Sequence, residues 1–260
     1  VRSNNPVLSQ LPQAGSEAGY GYQQNYQPST RRPMTVDDVV TKTGITLAVI
    51  VACAVANTAI ALTGNPGLTS ILTFVGAIGG FITVLVHSFG KNFGSRTVTL
   101  IYAVFEGLFV GGFSVVMSGW VIGNANAGAM IAQAILGTLG VFLGMLYVYK
   151  TGAVKVTPRF NRILTGAIFG VAIMALGNLV LFLFTGMNPL RDGGPLAIIF
   201  GIVCIILAAL SFLQDFDLAD KLVRTGAPSE MAWGVALGLA VTLVWLYTEI
   251  LHLLSQAQRD

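Results

Sequence analysis

Long apolar runs, separated by turn-forming residues, fill the chain from residue 44 onward. They cover 44–63, 68–89, 98–119, 127–149, 163–184, 196–213 and 231–254, and each holds 18 to 24 residues. About 20 residues at 1.5 Å each cross the ~30 Å hydrocarbon layer of a bilayer. Lipid cannot satisfy exposed backbone groups, so runs of this length must be helices. The breaks carry turn chemistry: Gly64-Asn-Pro-Gly, Gly123-Asn-Ala-Asn, Asn188-Pro, Gly193-Gly-Pro and Gly226-Ala-Pro. The pattern predicts an all-α polytopic membrane protein with seven transmembrane helices over residues 35–256. A short C-terminal end, 257–260, follows.

Residues 1–34 are different material. From Gly19 to Thr30 the chain reads GYGYQQNYQPST, with almost nothing to bury. A disordered, polar cytoplasmic tail is expected there. It does not read as a signal peptide, because no apolar stretch follows Arg2. Thr35-Val-Asp-Asp reads as the cap of a short helix leading into the first span, with two acids near that helix's positive end.

Composition supports the membrane reading. Hydrophobic residues make up 54% of 260, charged residues 10%, and mean hydropathy is +0.76. A soluble domain carries roughly 25% charge. Cys53 and Cys204 fall inside apolar runs and read as small buried hydrophobes. The net charge of +3 sits in the short loops, so it speaks for orientation and against nucleic-acid binding. Twelve of 14 basic residues lie on one side: Arg2, Arg31, Arg32, Lys42, Lys91, Arg96, Lys150, Lys155, Arg159, Arg162, Lys221 and Arg224. Only Arg191 and Arg259 lie on the other. The positive-inside rule then puts the N-terminus in the cytoplasm and the C-terminus outside a cell membrane. Five small-xxx-small glycine pairs (Gly76/Gly80, Gly107/Gly111, Gly140/Gly144, Gly166/Gly170 and Gly234/Gly238) predict close helix packing.

Charges inside the runs are the candidates for function. Of the formal charges, only Glu106 and Glu249 lie within them. A carboxylate in lipid must be paired, protonated or wet. Glu249 has His252 three residues on, on the same helix face. Asp215, Asp217 and Asp220 close the sixth run ahead of Lys221 and Arg224. If that helix continues to about Arg224, Asp215 and Asp217 lie two to three turns inside its cytoplasmic end. His87, near a span end, reads as an interfacial residue. The sequence carries no HExxH, GxSxG or GxxxxGK[ST] motif. An enzyme, a cofactor and a tightly bound metal are therefore not expected.

The ordered set YAVFEGLFVGG, LSFLQDFDLAD and LVWLYTEILHLL resembles the Bax inhibitor-1 (TMBIM) superfamily, nearest its bacterial Bax inhibitor-1/YccA-like branch, over about residues 35–256. The resemblance implies two three-helix layers around a central C-terminal helix. It also implies a pH-sensitive calcium leak, in which an acid late in helix six pairs with one in helix seven. Asp215 matches the first position and Glu249 the second, with Glu where the better-known members have Asp. Two carboxylates sharing a site hold one proton between them, and adding or removing a proton breaks their bond. On this reading Asp217, Glu106 and His252 join the pH-sensing or ion pathway. Calcium binds transiently at Asp215 and Glu249, and protons and membrane lipid are the other partners. The alternative is a non-conducting regulator that binds a membrane protease or another membrane protein. One spacing resists the pairing. Around a turn near Ala227, the antiparallel partner of Asp215 falls near Leu239, about 15 Å short of Glu249. Either part of 218–235 lies along the membrane surface or the two acids do not pair.

Overall fold

The computed structural model describes residues 32–90, 93–119 and 126–258. The expected tail up to residue 31, Lys91, the turn at 123–125 and Arg259 lie outside the described residues. Seven helices follow in order: α1 Val36–Leu62, α2 Pro66–Phe89, α3 Arg96–Ser118, α4 Ala127–Thr151, α5 Pro158–Thr185, α6 Pro195–Arg224 and α7 Ala232–Ala257. Each is long and apolar enough to cross a membrane. The chain is an all-α polytopic membrane protein.

Local chemistry sets the helix ends. Thr35 and Asp38 form a reciprocal capping box at the start of α1. The helix they open runs unbroken for 27 residues, so no separate short helix precedes the span. Ser95 and Thr157 cap α3 and α5 by accepting from Val98 N and Phe160 N. Proline opens α2, α5 and α6, where a missing N–H loses nothing. Gly119, Gly152 and Gly186 close α3, α4 and α5 in the left-handed conformation, with φ of 66°, 67° and 73°.

Helices α1, α2 and α3 pack on one another, while α6 packs against both α4 and α5. Between these groups stands α7, in contact with α1, α3, α4 and α6. Of its 26 residues 18 are buried, whereas in α5 only Leu164 is. The C-terminal helix is thus the centre of the bundle and α5 its periphery.

The glycine pairs divide by position. A Cβ at Gly107 would lie 2.5 Å from Ile50 O, and one at Gly111 only 2.4 Å from Ala54 O, so α1 and α3 touch through bare backbone. Gly76 meets Phe105 O in the same way, at 2.5 Å. Gly234 packs against the Phe93 ring. Gly140, Gly144, Gly166 and Gly170 face open space instead.

The segment before α1 belongs to the helical unit. Met34 N donates to Ala227 O at 2.7 Å, and Ser229 N donates to Arg32 O at 2.9 Å. Lys42 Nζ also donates to the Ser229 carbonyl. Met34 is 2% exposed and packs into the core with Val39, Phe216 and Ala232. Arg32 to Met34, expected to be tail, are therefore stitched to the α6–α7 turn.

Candidate functional site

One face of α7 collects the polar chemistry. Gly238, Thr242, Trp245, Glu249, His252 and Gln256 recur at three- and four-residue spacing, so they form a single stripe along the helix. The stripe faces different partners at different depths.

At the level nearer the α6–α7 turn stands Asp215 of α6. Its Oδ2 accepts a 2.7 Å bond from Thr242 Oγ1, and Oδ1 lies 3.8 Å from the position a Cβ on Gly238 would take. Thr242 Oγ1 is also 3.2 Å from Gly238 O. Among the described residues no cation lies within ion-pair distance of Asp215.

At the level nearer the α5–α6 turn Glu249 is held by Arg191 in a fork-to-fork pair. Arg191 Nη1 donates to Oε2 at 3.0 Å and Nη2 to Oε1 at 2.8 Å. The Glu249 side chain is 4% exposed and that of Arg191 34%. The turn between α5 and α6 is braced to present this arginine. Leu190 N donates to Asn178 Oδ1 at 3.2 Å, Asn188 N to Asp192 Oδ2 at 3.1 Å, and the Asn178 amide to Asn188. The Arg191 guanidinium also lies 5.7 Å from the Phe200 ring centroid.

Between the two levels the stripe is apolar. Trp245 packs on one side against the core around Phe212 and on the other against Leu190, Phe200 and Cys204.

The expected pairing of Asp215 with Glu249 is therefore not what the fold makes. Thr242, the partner of Asp215, precedes Glu249 by seven residues, or about 10 Å of helix. The reason is register. Helix α6 stays regular to Arg224, and only the Ser229–Met231 turn of 3-10 helix stands before α7 begins at Ala232. No part of 218–235 is long enough outside these helices to take up the excess. A short antiparallel connection sets Gly238 and Thr242 opposite Asp215.

The other candidates separate as well. Asp217 lies about 200° around α6 from Asp215 and pairs with Lys221 one turn on. It is a helix-end ion pair and not part of the α7 stripe. Asp220 pairs with Arg224 at 2.9 Å and accepts from Tyr149 at 3.4 Å. Glu106 belongs to the α2–α3 contact: Oε2 occupies the notch over Gly80, 2.7 Å from a Cβ placed there, and Tyr102 hydrogen-bonds it. Tyr102 packs on Leu237 and Ala240, which lie off the acidic stripe of α7. His252 shares the stripe with Glu249 but bonds elsewhere. Its Nδ1 is 3.4 Å from Met117 Sδ and its Nε2 is 2.8 Å from the Gln256 amide. The His87 ring lies tilted against that of Phe93, with centroids 5.2 Å apart. Among the described residues, no three His, Cys, Asp or Glu side chains gather as a metal site.

Arg191 was not among the sequence candidates. Its one signal was placement, as one of two basic residues on the side otherwise free of them.

A bundle of seven spans around a buried, acid-bearing last helix defines a multi-pass membrane protein. The chain belongs to the Bax inhibitor 1 like family, whose pattern matches residues 5–259. That match is wider than the 35–256 over which the sequence motifs carry the resemblance. A search of curated proteins found no match.

Proposed function

We propose that this protein is a pH-sensitive calcium leak of the cell membrane, with its N-terminus in the cytoplasm. The observation that carries the reading is a pair of carboxylates at two depths along one face of α7, Glu249 on that helix and Asp215 of α6 against it, with the Trp245 layer between them. A leak needs weak oxygen sites in sequence and no full cage. Asp215 supplies the inner site. The Arg191–Glu249 pair acts as an outer latch that ties the α5–α6 turn to the central helix. Parting Arg191 from Glu249 would free that turn from the central helix, so loosening the latch is expected to raise the leak. This replaces the shared proton between the two acids with two separate groups.

Calcium flux into vesicles that hold only this protein tests the reading. Flux above that of empty vesicles, changing with external pH, is expected. A second reading rests on α5, whose almost wholly unburied apolar surface suits a membrane-protein partner of a non-conducting regulator. Vesicles as tight with the protein as without it would favour that regulator.

Orientation is tested by labelling. In a background with Cys53 and Cys204 replaced, Lys155→Cys should react only from the cytoplasm and Asn65→Cys only from outside. Reaction of both from one side would remove the proposed topology.

A further inference from the structure

We propose that the cleft between α1 and α4 binds one anionic phospholipid from the leaflet on the side of the α6–α7 turn. The cleft encloses about 870 Å³ and is floored by Leu239 and Leu243 of α7. Along α1 its wall runs from Val36 to Leu47, and along α4 from Leu139 to Lys150. Each wall is about 16 Å long. That is close to the ~15 Å depth of one leaflet's hydrocarbon. Gly44 opens the α1 wall, since a Cβ there would meet nothing within 4 Å.

The two ends of the cleft differ in charge. The deep end is closed by Leu47, Leu139 and Leu243. The shallow end carries Lys150, Lys155 and Arg224 against a single carboxylate, Asp220. Asp220 is already held by Arg224 at 2.9 Å, and no carboxylate among the described residues pairs with either lysine.

Charge complementarity identifies the occupant. Lipid chains are as apolar in the bilayer as in the cleft, so the acyl tails cannot supply selectivity. The excess positive charge at headgroup depth can. The N-terminal residues of this chain are a poorer fit, because residues 1–31 hold Arg2 and Arg31 against Glu17.

Native mass spectrometry of the full chain in detergent, with phosphatidylglycerol or phosphatidylcholine of the same chains, tests the site. One retained phosphatidylglycerol per chain is expected, bound about 25-fold more tightly than phosphatidylcholine. Lys150→Gln or Lys155→Gln should each weaken it about fivefold, and the pair about 25-fold. Gly44→Leu, whose side chain enters open space, should weaken both lipids. Arg159→Gln with Arg162→Gln, on the same side but outside the cleft, should change binding less than twofold. Equal binding of the two lipids, or an equal loss in the Arg159/Arg162 control, would overturn the proposal. So would displacement by free glycerol phosphate, or tighter lipid binding once residues 1–31 are deleted, since each points to a different occupant.

Discussion

Arg191→Ala is expected to destabilise the protein by about 3 kcal/mol, the low end of the range for stripping one partner from a buried ion pair. The low end applies because Arg191 is 34% exposed and part of its charge is already solvated. What makes the change severe is the partner left behind. Glu249, 4% exposed, would be left buried with nothing to replace two donors at 2.8 and 3.0 Å. Glu249→Gln should be milder, since the arginine it frees can turn toward water. Combining Arg191→Met with Glu249→Leu should recover most of the loss, because no buried charge remains. Thermal unfolding of the purified protein in detergent reads all three variants against wild type. If Arg191→Ala unfolds with wild type, the bidentate pair does not hold the turn to α7, and the latch is lost with it.

Asp215→Asn and Glu249→Gln should act on calcium flux independently. Glu249→Gln is expected to raise the leak, because it loosens the bidentate hold on Arg191. Asp215→Asn should lower the leak by removing a charged oxygen ligand. The two acids have no partner in common, and the Trp245 layer separates them. Sites this far apart add within about 0.5 kcal/mol, so the double variant should show the product of the single effects within about twofold. Asp215 and Thr242 should behave in the opposite way, because they share a 2.7 Å bond. Thr242→Val is expected to lower stability by about 1.5–3 kcal/mol, the range for a hydrogen bond to a charged group. It should add little once Asp215 is already Asn. A double variant of Asp215 and Glu249 that matches either single would mean that the acids work as one unit after all. Full additivity of Asp215→Asn and Thr242→Val would mean that their bond does not form in the membrane.

The sequence by itself determined the seven spans and most of their ends. Each depends on a local property: enough apolar residues in a row to cross the hydrocarbon, a capping side chain such as Thr35, or a glycine such as Gly226 where the chain turns left-handed. It also singled out Glu249 and Asp215 as acids at membrane depth, because lipid makes any charge there conspicuous. Which group each acid meets was decided only by the tertiary structure. Arg191 and Glu249 are 58 residues apart in the chain, and nothing near either one names the other. Their meeting depends on how α7 is rotated and how far it slides along α6, and the short α6–α7 connection fixes both. A shift of one residue turns a helix face by about 100° and moves it by 1.5 Å, enough to take Thr242 away from Asp215. The same holds for the glycines. Gly111 and Gly170 sit in equivalent small-xxx-small patterns, yet one touches the Ala54 carbonyl and the other faces open space. Spacing along one helix sets which residues share a face, and only packing sets what that face meets.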